Sequence, residues 1–154
     1  MTDVTFKRWL GPLGLLAAVL IFVGLGPLGS GVPGENASGL TVVHYINTHV
    51  NQLWLSLYVA GAGLILLTVF MAAVYSVLRE SNQKVLPTSF LVGFLVFFTS
   101  FLVGGSLQVV TMLAAHNHDY AVAHISNFTS DNVELGIVLG LAMIGLLSGL
   151  AILT

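Results

Sequence analysis

Four apolar stretches, each long enough to cross a membrane as a helix, constrain this chain more than any other feature. They run from about Leu10 to Leu28, Leu53 to Leu78, Leu86 to Ala115 and Val133 to Leu153. A helix needs about 20 residues to cross about 30 Å of hydrocarbon. None of the stretches alternates polar with apolar residues as the strands of a barrel do. We therefore expect an all-α membrane protein whose four transmembrane helices form one antiparallel, up-and-down bundle over residues 1–154.

The composition agrees with a membrane protein and excludes several functions. Apolar residues make up 56% of the chain and charged residues 6%. In soluble domains about a quarter of all residues are charged. The chain has no cysteine, which excludes disulfides, thiolate metal sites and iron–sulfur clusters. Its net charge of −2 and the lack of a basic stripe argue against nucleic acid as a partner. Membrane lipids are the partners that this composition predicts.

The positive charges predict the orientation. All four cations precede the first span or lie between the second and third spans, at Lys7, Arg8, Arg79 and Lys84. Lysine and arginine near the ends of spans favour the cytoplasmic side. We expect both termini in the cytoplasm of a bacterium, with the protein in the plasma membrane. The loops over residues 29–52 and 116–132 then lie outside.

These two outer loops hold every histidine of the chain, at His44, His49, His116, His118 and His124. Together with Asp119, imidazoles of this kind bind zinc, copper or iron. A divalent transition metal is therefore the cofactor that the loops allow. The alternative is that these are surface histidines near the lipid headgroups, and it is favoured because no H-E-x-x-H spacing occurs. Haem and chlorophyll are disfavoured, since no histidine lies deep within a span.

The segment from Thr41 to Gln52 is expected to extend the second span as a helix. Spacings of three and four would place four of its polar residues on a shared face: His44, Asn47, Thr48 and Asn51. His49 would point away from that face.

Two polar residues fall within the predicted spans. Gln108 lies inside the third span, where its amide needs a partner such as Ser106 or Thr111. Glu134 lies in the first turn of the fourth span, and with Asp131 as N-cap it matches a capping box. This capping role is favoured over a role in transport for Glu134.

Small residues predict close packing of helices. The fourth span carries the pairs Gly136/Gly140 and Gly145/Gly149, and the third span carries Gly104 and Gly105. Such residues let helix backbones approach closely. Gly136 and Gly145 point in roughly opposite directions, so one face can pack within the bundle and the other against a neighbour.

The second span ends in the pattern Ala-Val-Tyr-Ser-Val-Leu-Arg-Glu at residues 73–80, and a polar loop separates the last two spans. In these features the chain resembles small four-span membrane proteins of actinobacteria that have no assigned function. The resemblance implies the four-helix architecture and no activity.

We expect a non-catalytic accessory or structural subunit of a membrane complex, which packs against itself or other membrane subunits. The rival is a metal-binding membrane protein, which stoichiometric metal in the purified protein would favour. A third possibility is a small-molecule channel or carrier with a polar path around Gln108, which flux into liposomes would support. Serine hydrolase chemistry is discounted because the chain has no G-x-S-x-G motif.

Overall fold

Helices make up nearly all of the chain in the computed structural model, which describes residues 3–34, 36–79 and 85–153. Helix α1 covers Asp3–Val23 and continues as a π-helical turn over Gly24–Leu28. Helix α2 covers Gly39–Arg79, α3 covers Val85–His116 and α4 covers Tyr120–Leu153. The described residues form no β-strand. The all-α prediction is confirmed for this part of the chain.

Three stretches of the described residues are long and apolar enough to cross a membrane: Trp9–Leu28, Gly39–Arg79 and Leu86–His116. The first and third agree with the predicted spans to within about one residue at each end, and the second contains the predicted span Leu53–Leu78 and begins earlier, at Gly39. The chain is therefore an all-helical membrane protein with at least these three candidate spans.

Contacts divide the chain into two units, each described here by itself. The first unit is Met1–Ser30 with Asn51–Asn82, so it contains α1, the π-helical turn and the longer part of α2. The second unit is Gly31–Val50 with Gln83–Thr154, so it contains the start of α2 together with α3 and α4.

In the first unit, α1 and α2 run antiparallel with small residues at their closest points. A Cβ atom on Gly63 would lie 2.9 Å from the backbone nitrogen of Ile21, and one on Gly24 would lie 2.7 Å from the backbone nitrogen of Ala60. Near the other end of α1, Gly14 faces the ring of Phe70. Glycine is required at positions 24 and 63, because a side chain there would meet the backbone of the other helix.

The π-helical turn at the end of α1 is stabilised by side chains of α2. Pro27 lies in this turn and has no backbone N–H to donate. The Ser56 hydroxyl donates to the Gly24 carbonyl oxygen at 2.7 Å, and the Gln52 amide donates to the Leu28 carbonyl oxygen at 3.0 Å. These bonds satisfy backbone oxygens that have no water to bond to within lipid.

In the second unit, α3 and α4 form a hairpin with a connection of only three residues, 117–119. The third span was predicted to within about one residue at each end. The prediction of a loop over residues 116–132 is wrong, because α4 already begins at Tyr120. Polar residues in this stretch resemble a loop in composition, but several of them make buried contacts that stabilise a helix.

The two helices of the hairpin run antiparallel along their whole described contact. Gly140 faces the backbone of Phe97 and Gly136 faces Ser100. Further along, Ser126 of α4 bonds Thr111 of α3. Rising residue numbers on α3 thus pair with falling numbers on α4.

Candidate functional site

The predicted polar site lies where α3 turns into α4. Helix α3 ends in a Schellman motif: the Asp119 N–H donates to the Ala114 carbonyl oxygen at 2.9 Å, and the His118 N–H donates to that of Ala115 at 3.1 Å. His118 has a φ of 56°, in the left-handed region that glycine usually occupies at this position. The motif leaves His116 and His118 exposed at the turn.

Asp119 is the N-cap of α4. Its Oδ1 accepts a hydrogen bond from the Val122 N–H at 3.1 Å, and its carbonyl oxygen accepts one from the Ala123 N–H at 3.0 Å. The predicted capping box at Asp131 and Glu134 is wrong, since α4 is continuous through these positions. The helix begins about three turns earlier because Asp119 supplies the cap there. The side chain of Glu134 lies outside the part of the chain that the structure describes.

Replacing Asp119 with alanine is expected to lower the stability of the protein by about 1 kcal/mol, because the Val122 N–H loses its acceptor. Asp119→Asn keeps an acceptor oxygen at the same place and should cost only a few tenths of that. Thermal unfolding in detergent micelles, followed by circular dichroism, measures both variants. Equal losses for the two would contradict the capping role.

The start of α2 covers one side of this hairpin end. Its first turn is capped by Ser38, whose hydroxyl accepts from the Thr41 N–H at 3.2 Å. The Asn47 amide donates to the Ala115 carbonyl oxygen at 3.3 Å. Gly39 lies so close to the carbonyl group of Tyr120 that a side chain would not fit. We call residues 31–50 the covering segment.

Asn127 attaches the covering segment to α4. Its amide Nδ2 donates to the carbonyl oxygen of Pro33 at 2.9 Å, and the residue is 5% exposed. One residue earlier, the Thr111 hydroxyl donates to Ser126 Oγ at 2.8 Å, and Ser126 donates to the Val122 carbonyl oxygen. The polar composition of this stretch predicts a loop and does not predict these contacts. A helical spacing from Tyr120 onward would have placed Ala123, Ser126 and Asn127 on one face.

Helix α2 bends at His49. This residue has φ −115° and ψ 17°, outside the helical region, and it lies near the end of the covering segment. Its Nδ1 lies 2.9 Å from the Tyr45 carbonyl oxygen, and its ring stacks on that of Tyr45 with centroids 4.3 Å apart. The helical extension predicted for the segment from Thr41 to Gln52 is present. The bend itself was not predicted.

The proposed metal ligands differ in their exposure and in their hydrogen-bond partners. His44, His116 and His118 are exposed, whereas His49 and His124 are half-buried. His49 is bonded to a backbone carbonyl and Asp119 caps α4. Within the described ranges, no three histidine, aspartate or glutamate side chains are placed to share a metal ion. Metal binding by these residues stays a prediction.

Gln108 is half-buried on α3. The two partners expected for it have other bonds: the Ser106 hydroxyl donates to the Leu102 carbonyl oxygen at 2.7 Å, and Thr111 bonds Ser126. The polar path around Gln108 stays a prediction.

The predicted packing glycines fall into different environments. Gly136 and Gly140 lie against α3 within the chain, and Gly104 has Val133 at an ordinary contact distance. A Cβ atom on Gly105 would meet nothing within 4 Å. The surroundings of Gly145 and Gly149 lie outside the described part of the chain.

The end of the hairpin near the α3–α4 connection exposes large apolar side chains. Val110 and Leu113 of α3 are 43% and 54% exposed, and Val122 and Ile125 of α4 are 42% and 63% exposed. We call these four residues the hairpin-end face.

Comparison with protein-family models, curated proteins and solved structures found nothing that matches this chain.

Proposed function

We propose that this chain is a non-catalytic accessory or structural subunit of an integral membrane complex in a bacterial plasma membrane. The observation that supports it most is how little of its apolar surface the chain buries by itself. In the most apolar windows of the three candidate spans, only 11%, 33% and 17% of the residues are buried. Such surfaces need lipid or other membrane subunits to cover them.

The same proposal includes four antiparallel membrane helices with both termini in the cytoplasm. Helix α4 has 34 residues and is about 51 Å long, more than enough to cross the hydrocarbon. Arg79 ends α2, Lys84 precedes α3 in the sequence, and Lys7 and Arg8 precede the first span. This distribution favours the cytoplasmic side for those ends.

The scarcity of charge within the spans, where Glu134 at the start of the fourth is the exception, supports a non-catalytic role. No lysine, arginine, aspartate, glutamate or histidine occurs in residues 10–28, 53–78 or 86–115 of the sequence. Ionisable groups at bilayer depth are the usual marks of proton or ion paths. The polar residues Ser56 and Gln52 donate to backbone oxygens of the π-helical turn, which is a structural use.

Extraction in a mild detergent followed by mass measurement tests this proposal. The protein is expected to elute in an assembly well above its own 16.3 kDa, with further copies or other polypeptides bound. Light scattering that separates protein from detergent mass gives the composition. A lone 16.3 kDa chain in several mild detergents would overturn the proposal.

A further inference from the structure

Every tryptophan and tyrosine of the first unit lies near one of the two ends of its helix pair. These side chains are Trp9, Trp54, Tyr58 and Tyr75. Between the ends, residues 10–28 carry no polar side chain, and residues 59–74 carry only that of Thr68. The Thr68 hydroxyl donates to the Leu64 carbonyl oxygen of its own helix at 2.9 Å. The middle of the unit is therefore apolar, and its amphipathic aromatic rings are confined to the ends.

Trp9 and Tyr75 lie at one level of the helix pair. Gly14 of α1 faces the ring of Phe70 of α2. Because the helices run antiparallel, five residues back from Gly14 and five residues on from Phe70 lead to the same level. These steps end at Trp9, which is 65% exposed, and at Tyr75, which is half-buried. Arg79 follows Tyr75 by one helical turn.

Trp54 and Tyr58 mark the other level. They are one turn apart on α2, and their rings stack with centroids 6.1 Å apart. Tyr58 is 70% exposed, whereas Trp54 is half-buried. Ser56, which lies between them in the sequence, donates to the Gly24 carbonyl oxygen at 2.7 Å. The aromatic pair is therefore level with the π-helical turn that follows α1.

The distance between the two levels matches the hydrocarbon of a bilayer. An α-helix rises about 1.5 Å per residue, so Tyr58 and Trp54 lie about 26 Å and about 32 Å from Tyr75 along the helix. The hydrocarbon core is about 30 Å thick. The bend of α2 at His49 precedes both residues, so it does not shorten this distance.

The chemistry of these side chains fits the boundary between hydrocarbon and headgroups. Tryptophan and tyrosine each join an apolar ring to one polar group, and they are enriched at both faces of a membrane. A tyrosine hydroxyl in hydrocarbon lacks a hydrogen-bond partner and costs free energy. At the boundary, lipid ester groups and water bond the Tyr58 hydroxyl while hydrocarbon covers its ring. A bilayer also imposes two levels about 30 Å apart, which a protein partner does not.

We propose that Trp9 and Tyr75 contact the headgroup region of one leaflet and that Trp54 and Tyr58 contact that of the other. The ligand is the glycerol ester and headgroup region of phospholipids. The four side chains hold the first unit at a fixed depth, and the part of α2 that crosses the hydrocarbon is the segment from Tyr58 to Tyr75. These lipid contacts go beyond the proposed function and do not depend on the role as a subunit.

The chain has two tryptophans, and they are natural fluorescent probes of depth. Trp9→Phe leaves only Trp54, and Trp54→Phe leaves only Trp9. Each purified variant is placed in phosphatidylcholine vesicles whose acyl chains carry bromine, a contact quencher, either near the glycerol or near the terminal methyl group. We expect the bromine near the glycerol to quench both tryptophans more strongly. The ratio of quenching should place each ring about 13–16 Å from the bilayer centre.

Tyr58 and Ile65 provide a matched pair of positions. They are seven residues apart on α2, so they lie on one side of the helix, and they are 70% and 69% exposed. In a chain with both natural tryptophans replaced by phenylalanine, Tyr58→Trp and Ile65→Trp place the probe at depths that differ by about 10 Å. We expect bromine near the glycerol to quench the first variant better and bromine near the methyl end to quench the second better. Circular dichroism shows that each variant is folded.

Two results would overturn the proposed lipid contacts. The first is a Tyr58→Trp probe as deep as the Ile65→Trp probe, or deeper. The second is failure of both brominated lipids to quench Tyr58→Trp, which would show that lipid does not contact this position. Either result leaves the subunit role standing, since the mass measurement decides it. A lone chain that shows the expected depths would overturn the subunit role and support the lipid contacts.

Discussion

Gly140→Ala is expected to destabilise the α3–α4 hairpin by about 1–3 kcal/mol, the usual cost of adding a group where there is no room. The added Cβ would lie 2.6 Å from the backbone nitrogen of Phe97 and 2.8 Å from its Cα. These are backbone atoms, so no side-chain rotation relieves the contact and the two helices must separate. Separation loosens the neighbouring contact of Gly136 with Ser100 as well.

Gly105→Ala is the matched control, because it adds the same methyl group to the same hairpin. Nothing lies within 4 Å of the new Cβ, and alanine is a better helix former than glycine by about 1 kcal/mol. The control is therefore expected to unfold at the same or a slightly higher temperature. Thermal unfolding in one detergent gives both midpoints. A midpoint for Gly140→Ala as high as that of Gly105→Ala would show that the helices are not packed as described.

The contrast between these two glycines shows how far sequence reasoning reaches. The residue type correctly indicated close helix packing, but the pattern is the same for a glycine at an interface and one facing open space. Whether a glycine is needed for packing depends on the atoms next to it. For Gly140 these are backbone atoms of Phe97, 43 positions earlier in the chain. The bounds of α3 were predictable because its apolar run has polar residues at both ends.

The start of α4 was not predictable from composition. Residues 120–132 include serine, threonine, asparagine and aspartate, which favour turns when they bond to nearby backbone. Here Ser126 and Asn127 instead satisfy partners on α3 and on the covering segment. Those partners lie far away in the sequence, so no local pattern reveals them. The cap that starts the helix, Asp119, was recognised only as a possible metal ligand.

The metal prediction shows the same limit. Proximity in sequence brought His116, His118 and Asp119 together as candidate ligands. In the structure the Asp119 carboxylate accepts from the Val122 N–H as the N-cap of α4, and the two histidines are exposed. A spacing of two residues in a tight turn does not by itself make side chains converge. The positions of these groups depend on how α3 ends, which the pattern of residue types did not specify.

Asn127→Asp is expected to reduce the stability of the second unit by about 3 kcal/mol, the cost of a buried charge without a partner. The Nδ2 donor, 2.9 Å from the Pro33 carbonyl oxygen, is replaced by a carboxylate oxygen that repels it. At 5% exposure, little water can reach the charge. The bond between α4 and the covering segment is then lost, so hydrogen exchange of the helical part of the covering segment should accelerate together with the fall in unfolding temperature.

Acidity provides the decisive check of this explanation. A protonated carboxyl can donate to the Pro33 oxygen as the amide does, so the deficit of Asn127→Asp should shrink as the pH is lowered. Asn36→Asp makes the same chemical change at an exposed position and should alter stability by less than about 0.5 kcal/mol at any pH. A pH-independent loss for Asn127→Asp would point to packing rather than charge. A loss as small as that of Asn36→Asp would mean that the amide does not hold the covering segment in place.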